Sequence, residues 1–516
     1  MEENKAMVLF LERHAKQIRG VISCFDRVVI TGTLPEICHA GAMTALLNTQ
    51  RIRIFDYARW AEPFREELRE HAERLAEEND LEIEFIQRKD FRKEERVRGI
   101  VAQRGEQPGL VHIFSAMEPC PSYRPWHDKT SGKTFLKPTN AKCIHYYFYF
   151  IDAQLGLCYL RVPTWAPFRL QFYFNGHNVL AAQLSKEGIA YEQLDNAFVH
   201  IEEFERAQEL ADTLRIEFLH RRLNRFARTY CPVVRKFPSG YHWSLMQVEY
   251  ATDILFHRQA DLQPIYETIA RTAVLAVKAS DIATFLGRKL TGQYQDELGN
   301  DFQTRIQGTR IRHHMGRVAI KMYDKHGLVL RIETVVNDVT FFKHHRKVEH
   351  RDGTSERKWA PVKKTIYSLP VLRELLWASN WRYLEFVSAL EDPRAETKNL
   401  DKISRPTRQG DRIYRGFNLF HGDDRVLFET IASGQFNISG FTNRSLRNLL
   451  PDKTGTQISR MLKRLRTHGL IKKIGRTYKY YLTRLGRQVV MTALKLRRLV
   501  IIPSLATTQM PAWNKS

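Results

Sequence analysis

Several signatures of catalysis and cofactor binding are missing from this sequence of 516 residues. It contains no GxxxxGK(S/T) loop and no GxGxxG, GxSxG or HExxH motif. These absences argue against a P-loop nucleotidase, a Rossmann dinucleotide site, a serine-hydrolase elbow and a zincin. The six cysteines include no CxxC pair, which argues against a zinc ribbon and indicates reduced thiols, as in a cytoplasmic protein.

Long apolar runs are also lacking. No segment approaches the ~20 consecutive apolar residues that a membrane-spanning helix needs. The chain opens with Met1-Glu2-Glu3-Asn4-Lys5 and leads into an amphipathic helix, so we expect no signal peptide. Both absences predict a cytoplasmic protein with no membrane partner.

Acidic residues are too few to balance the basic ones. The chain has 81 Lys and Arg against 57 Asp and Glu, which gives a formal charge of +24 and a pI of about 9.8. Such a field attracts nucleic acid and makes binding strongly dependent on salt. With 43% apolar residues the chain can bury several cores, and its length predicts about two to four domains.

The charge imbalance is greatest near the C-terminus, where residues 435–500 hold 16 Lys or Arg and one acid, Asp452. This region predicts a helix over 423–434, a strand over 436–441, helices over 442–450 and 454–469, a hairpin over 470–482 and a last helix from 483. That order is the order of a winged helix-turn-helix. The one-sided charge favours DNA as the partner, with RNA as the alternative and a protein-interaction role left open.

The third of these helices carries the residues that we expect to contact DNA. Ile458, Met461, Leu462 and Leu465 fall at helical spacing and predict the inward face. The remaining side chains could bond base edges or phosphates in the major groove; they are Thr456, Gln457, Ser459, Arg460, Lys463 and Arg464. In the hairpin we predict phosphate contacts for Lys472, Lys473, Arg476 and Lys479.

The same stretch resembles the DNA-binding domain of winged-helix regulators of the MarR type. The resemblance lies in the run Ser-Arg-Met-Leu-Lys-Arg-Leu-Arg-Thr-His-Gly-Leu-Ile-Lys-Lys (459–473), followed by Tyr-Lys-Tyr-Tyr-Leu-Thr (478–483) and a helix. It covers about one sixth of the chain. It implies a DNA-binding domain, and since such regulators are normally dimers it leaves a homodimer open.

A hairpin is predicted in the middle of the chain, with strands over 318–325 and 328–333 joined at His326-Gly327. Alternate residues share a face of a strand, which puts Lys321, Tyr323 and Arg317 together on the first strand and Arg331 and Glu333 together on the second. One face of the hairpin thus gathers a tyrosine, a lysine, an arginine and a carboxylate. A tyrosine hydroxyl can attack a phosphodiester if a cation or metal draws its proton, and Glu333 could help to hold that metal.

The fragment Tyr-Asp-Lys followed by Leu-Arg-Ile-Glu (323–333) is similar to a segment of the rolling-circle replication initiators of some plasmids and phages. This resemblance implies an enzyme that nicks one strand and stays linked to it through tyrosine, here Tyr323. The chain lacks the His-x-His pair that the commonest metal-binding form of that family uses. An ordinary hairpin with a salt-bridged ladder is the alternative.

Other carboxylates could serve a metal-dependent nuclease. Asp26 lies in the middle of a strand predicted over 20–30, where a buried carboxylate needs a partner or a metal. Glu249 and Asp253 are four residues apart and are expected to share one face of a helix. Such a nuclease would use Mg²⁺ or Mn²⁺, although the sequence does not identify the metal ligands.

Four consecutive segments are expected along the chain: an α/β domain over 1–229, an α+β domain over 230–391, a charged linker over 392–416 and the winged helix-turn-helix over 417–505. Within the first, the proline-rich segment Met117–Thr139 predicts an ordered surface loop. The highly charged segment Lys343–Lys364 predicts an exposed turn or loop and a second nucleic-acid contact.

These expectations describe a DNA-binding protein that acts on DNA, as a mobile-element or plasmid initiator or as a nuclease. The alternative is a non-enzymatic winged-helix transcriptional regulator, whose large body would sense a ligand or form the oligomer.

Overall fold

The chain has a mixed α/β fold with one large mixed sheet. A computed structural model describes residues 10–88, 90–290, 297–305, 308–350, 352–389, 403–418, 421–436, 440–475 and 477–502. The strands are β1 (Ile18–Thr33), β2 (Ile83–Phe85), β3 (Gly109–His127), β4 (Thr134–Asp152), β5 (Gly156–Pro163), β6 (Leu170–Asn175), β7 (Tyr191–Leu194), β8 (Ala197–Ile201), β9 (His242–Phe256), β10 (Leu298–Arg305), β11 (Gly308–Met315), β12 (Val318–Lys325), β13 (Val329–Val336), β14 (Lys343–Glu349), β15 (Ser355–Pro361), β16 (Thr407–Gln409), β17 (Arg412–Tyr414), β18 (Ile471–Lys473) and β19 (Tyr480–Leu482).

The helices include one of 22 residues, whose bounds agree with the long run of Glu and Arg at helical spacing. In chain order they are α1 (Ala40–Thr49), α2 (Tyr57–Glu78), α3 (Lys93–Arg104), α4 (Gly176–Glu187), α5 (Phe204–Asp212), α6 (Ile216–Tyr230), α7 (Gln259–Ala276), α8 (Ala279–Phe285), α9 (Leu369–Ser388), α10 (Gly422–Ile431), α11 (Asn443–Leu449), α12 (Gly455–Thr467) and α13 (Arg484–Lys495).

The chain divides into two compact units, each drawn from separate stretches of sequence. One unit comprises Gly20–Leu255 and Val335–Glu374; the other comprises Met1–Arg19, Phe256–Thr334 and Leu375–Ser516. We call them the N-terminal unit and the C-terminal unit. Among the described residues, no helix is both long enough and apolar enough to cross a bilayer.

The sheet of the N-terminal unit has the strand order β9-β1-β6-β5-β4-β3-β2. Strand β2 pairs with β3 in parallel, whereas β3, β4, β5, β6 and β1 pair antiparallel. Phe148, Phe150 and Phe172 are fully buried on one face of the sheet. There Phe150 packs on Phe226 of α6 with ring centroids 4.7 Å apart, so α6 covers this apolar face.

The proline-rich segment 117–139 is not a surface loop, and the prediction there was wrong. It forms the outer halves of β3 and β4, which pair in register from Met117↔Ile144 to His127↔Thr134. Pro119, Pro121 and Pro125 fit because they occupy alternate positions of β3, and alternate residues direct their backbone groups away from the partner strand. On the other side of β3, the short strand β2 pairs only with residues 113–115.

The helix expected around Glu249 and Asp253 is also wrong, because both residues lie in strand β9. Residues 248–256 of this strand are all buried. A continuous buried run is typical of a central strand, and over so short a stretch helical and strand periodicity are hard to tell apart. Residues four apart share a face in a strand as well as in a helix.

The charged segment 343–364 forms the hairpin β14–β15, in which most side chains are exposed. The turn between the strands contains the predicted Asp352-Gly353, with Gly353 at a positive φ of 83°. The segment is therefore a regular hairpin rather than a loop.

The C-terminal unit contains the strand order β10-β11-β12-β13 and a separate cluster of small elements from residue 403 onward. The cluster has its own core, which includes Leu427, Phe428, Ile458 and Leu465. Ile403 and Phe417 join this core and flank the small hairpin β16–β17. Residues 403–416 of the predicted linker are therefore folded, whereas 392–402 lie outside the described residues.

Candidate nucleic-acid interface and carboxylate cluster

Helix α12 is fixed at its start and along one face. Thr454 is the N-cap, its hydroxyl accepts from the backbone N–H of Gln457, and the Gln457 side chain accepts from the backbone N–H of Thr454 at 2.7 Å. This reciprocal capping box satisfies two backbone donors that the helix cannot satisfy itself. Ile458, Leu462 and Leu465 are buried, as the helical spacing predicted.

The side of α12 that does not enter the core is polar. Thr456, Gln457, Ser459 and Arg460 are exposed, and Lys463 is half-buried. Ser459 is also held in place, since its hydroxyl accepts a hydrogen bond of 2.8 Å from the Asn443 side chain of α11. These side chains have the donors and acceptors that read base edges or bond phosphates.

Arg464 was expected to face outward, and this expectation is wrong. Its side chain is buried, with the guanidinium 2.6 Å and 2.8 Å from the two carboxylate oxygens of Asp424. It also donates to the backbone oxygens of Arg415 and Gly416 and lies 3.8 Å from the centre of the Phe417 ring. The folded segment before α10 covers this part of α12, so Arg464 serves the core.

The hairpin β18–β19 presents cations to solvent. Lys472, Lys473 and Lys479 are exposed as predicted, whereas Arg476 lies outside the described residues. Tyr478, for which the sequence analysis predicted no role, is 81% exposed. The centre of its ring lies 5.3 Å from the Lys473 ammonium. An exposed aromatic ring among cations is a surface on which a base or sugar can stack.

The N-terminal unit places Asp26 in a buried polar cluster. Asp26 lies in β1, and its Oδ1 accepts hydrogen bonds from Asn196 at 2.6 Å and from Asn175 at 3.3 Å. Asn175 also caps α4 by accepting from the backbone N–H of His177 at 2.7 Å. Glycine at position 176 lets the start of α4 pack against the backbone of β1, because a Cβ there would lie 2.0 Å from the carbonyl oxygen of Phe25.

Three carboxylates and one imidazole converge at this cluster. His177 Nδ1 lies 3.0 Å from Asp26 Oδ1, and His177 Nε2 lies 3.3 Å from Asp253 Oδ2. Carboxylate oxygens of Asp26 and Glu249 lie within 4.8 Å of one another. All four residues are buried. We call Asp26, His177, Glu249 and Asp253 the carboxylate cluster.

Two carboxylates this close repel each other. A shared proton, a neighbouring cation or a bound divalent metal resolves the repulsion. Carboxylate oxygens are the ligands that Mg²⁺ and Mn²⁺ prefer, so Asp26 and Glu249 are the residues of this cluster that could hold such an ion.

In the C-terminal unit, three of the residues predicted on one face of the middle hairpin come together: Lys321, Tyr323 and Glu333. Lys321 Nζ lies 3.0 Å from Glu333 Oε2, and the Tyr323 hydroxyl donates to the same oxygen at 3.5 Å. Glu333 is buried, whereas Lys321 and Tyr323 are half-buried. The arrangement gives the phenol a carboxylate acceptor and a cation nearby, and it is also what a satisfied ion pair in a sheet looks like.

Sequence reasoning missed His177 of the carboxylate cluster and the two asparagines, Asn175 and Asn196, that donate to Asp26. Asn175, His177 and Asn196 are far from Asp26 in sequence. The pairing of β1 with β6 brings Asn175 and His177 close to Asp26, whereas Asn196 comes from the turn between β7 and β8. The signal that could have indicated them is Asn175-Gly176 at the end of a strand, because asparagine there is a good helix N-cap.

Comparison of the chain with protein-family models, curated proteins and solved structures found no match.

Proposed function

We propose that this protein binds DNA through residues 421–502, folded as a winged helix-turn-helix with α12 as the recognition helix. The observation that carries the proposal is the exposed face of α12, where Thr456, Gln457, Ser459 and Arg460 stand free of the core. Lys472, Lys473 and Lys479 are exposed on the adjoining hairpin.

The order and packing of the elements support this reading. Helix α11, a short connection and helix α12 are followed by the hairpin β18–β19 and helix α13. Phe441, just before α11, forms a two-way backbone bridge with Tyr480 of β19, which adds a minimal third strand to the hairpin. With one acid among residues 435–500, this surface favours a polyanion over a protein partner.

Two variants separate base reading from phosphate contact. Arg460→Ala is expected to weaken binding to a selected duplex by about 1–3 kcal/mol and to relax sequence preference, because an arginine on a recognition helix bonds base edges. Lys472→Ala with Lys473→Ala should weaken all duplexes alike and lower the slope of log K against log salt by about two, because each lost phosphate contact removes about 0.9.

The measurement is fluorescence anisotropy on duplexes taken from a selection with the full-length protein, at several salt concentrations. Lys16→Ala with Lys186→Ala is the charge-matched control, since both lysines are exposed and lie outside residues 421–502. Binding by Arg460→Ala that is unchanged in strength and in sequence preference would remove α12 from the recognition role.

A second candidate function is metal-dependent cleavage of the phosphodiester backbone, and the carboxylate cluster is the observation that favours it. Asp26 and Glu249 would hold Mg²⁺ or Mn²⁺, which when bound supplies a Lewis acid for a phosphoryl oxygen. Asn175 and Asn196 orient Asp26 through their amide groups. His177, between Asp26 and Asp253, can hold or release a proton beside the carboxylates.

A further inference from the structure

Helix α6 of the N-terminal unit has one apolar face and one cationic face. Leu219, Leu223, Phe226 and Tyr230 are buried. Arg221, Arg225 and Arg228 are exposed. At about 100° per residue these three arginines fall within about 60° of one another, and the rise of about 1.5 Å per residue places them along about 10 Å of the helix.

The arginines line an open cleft of about 420 Å³. The 3₁₀ turn Pro232–Lys236, which follows α6 directly, adds Arg235 to the same cleft. Asn224 and Thr229 complete the lining and carry no charge. Burial lowers the pKa of the neighbouring His71, and the charges of Arg74 in α2 and of Arg235 lower it further. The cleft therefore has a wholly cationic and neutral lining.

None of these four arginines forms an ion pair with a carboxylate anywhere in the described part of the chain. Their neighbours behave differently: Arg222 lies 3.5 Å from Asp152, and Lys236 lies 2.5 Å from Glu67. Glu217, the acid one turn before Arg221 on the same face, is exposed and is not within ion-pair distance of any described arginine. Four like charges in one cleft repel one another, so an anion bound there would be stabilised by all of them.

We propose that this cleft is a further nucleic-acid contact, in which the arginines hold consecutive phosphates of a strand. The inference rests on the proposed DNA binding by residues 421–502 and adds a separate site to it. Arginine suits this task because its planar guanidinium donates two parallel hydrogen bonds to a phosphate. A single free phosphate would need one or two of these side chains, whereas a polynucleotide backbone can engage the row.

The test compares the full-length protein with Arg225→Glu plus Arg228→Glu by anisotropy, using one labelled oligonucleotide as a single strand and as a duplex. We expect an affinity loss of about tenfold or more and a salt slope lower by about two. Arg225→Lys plus Arg228→Lys keeps the charge but loses the paired hydrogen bonds of the guanidinium, so we expect an affinity between those of the wild type and the glutamate variant. Lys16→Glu plus Lys186→Glu is the control with the same change of net charge.

Each outcome has one meaning. Variant binding equal to wild type, or an equal loss in the control, would overturn the cleft as a site while leaving DNA binding in place. Wild-type protein that binds no nucleic acid would instead remove the proposed function and this inference with it. Tripolyphosphate serves as a competitor, and calorimetry measures its binding to the wild type and to the glutamate variant. If the variant loses tripolyphosphate binding but keeps its DNA affinity, the cleft holds a free polyphosphate and not a strand.

Discussion

Arg464 illustrates how a single side chain ties together distant parts of the sequence. Its guanidinium bonds both oxygens of Asp424 in α10 and two backbone oxygens of residues 415 and 416, and it stacks on Phe417. Both charges are almost fully buried. A buried pair of this kind contributes little net stability relative to an apolar pair, but loss of one partner leaves the other charge buried and unpaired.

We predict that Arg464→Ala destabilises the C-terminal cluster by about 3–5 kcal/mol, because Asp424 then has no guanidinium partner. Denaturant unfolding, followed by the fluorescence of a dye attached to this region, measures the change. Arg466→Ala is the matched control, since Arg466 is exposed two residues further on and should change stability by less than about 0.5 kcal/mol. If Arg464→Ala left the free energy of unfolding unchanged but weakened DNA binding, Arg464 would be a DNA contact and not a residue of the core.

At the scale of elements, one buried histidine joins two strands and a helix of the C-terminal unit. The Nδ1 atom of His313 in β11 lies 2.6 Å from Oδ1 of Asn300 in β10. Its Nε2 atom lies 3.1 Å from the hydroxyl of Tyr383 in α9. The amide oxygen only accepts, so Nδ1 carries the proton and Nε2 accepts from the phenol. Burial, helped by the adjacent His314, lowers the pKa of His313 to about 4.

This lowered pKa predicts acid sensitivity with a defined direction. The unfolded chain has a histidine pKa of about 6.5, so between that value and about 4 the unfolded state binds more protons, and the free energy of unfolding falls as the pH falls. The total loss is on the order of 3 kcal/mol. His313→Gln should flatten this part of the profile in urea unfolding, whereas His345→Gln, at an exposed position, should not. A wild-type profile that is already flat from about pH 7 to about pH 4 would contradict the assignment.

At the scale of the whole molecule, each unit holds a different kind of candidate catalytic group. The N-terminal unit has the carboxylate cluster, and the C-terminal unit has Tyr323 beside Glu333. The two imply different products from DNA. A tyrosine nucleophile leaves the protein linked to a strand end, whereas carboxylates that hold a metal direct water and leave no adduct.

We predict that the protein nicks supercoiled plasmid in Mg²⁺ or Mn²⁺ without a protein–DNA adduct, as seen on a denaturing gel. Asp26→Asn should abolish nicking, and Tyr323→Phe should retain it. Asp152→Asn is the control, because Asp152 is another buried carboxylate of the N-terminal unit and its oxygen accepts from the backbone of a turn.

Other results of this assay would change the assignment. An adduct that disappears in Tyr323→Phe would identify a tyrosine nickase. Intact plasmid with both metals, from protein that binds DNA, would favour the transcriptional regulator with a sensing or oligomerisation body.

The local features followed from the residues alone, because their causes are local. Helical spacing and capping residues predicted the buried face of α12 and the start of α13 after Thr483. The alternation of residues in β12 and β13 predicted that Lys321, Tyr323 and Glu333 would meet. The long β3–β4 hairpin could not be predicted in this way, since the prolines that suggest a loop are tolerated once pairing leaves their backbone nitrogens outside the ladder.

The sequence by itself determined the charge of this protein, the helices and the hairpin over residues 442–495 and which side of α12 is polar. Tertiary structure alone decided that Arg464 turns inward and that Asp26, His177, Glu249 and Asp253 converge. The reason is physical: periodicity and capping act over a few residues, whereas these contacts join positions up to hundreds of residues apart. Only the pairing of strands and the covering of a helix by a distant segment can create them.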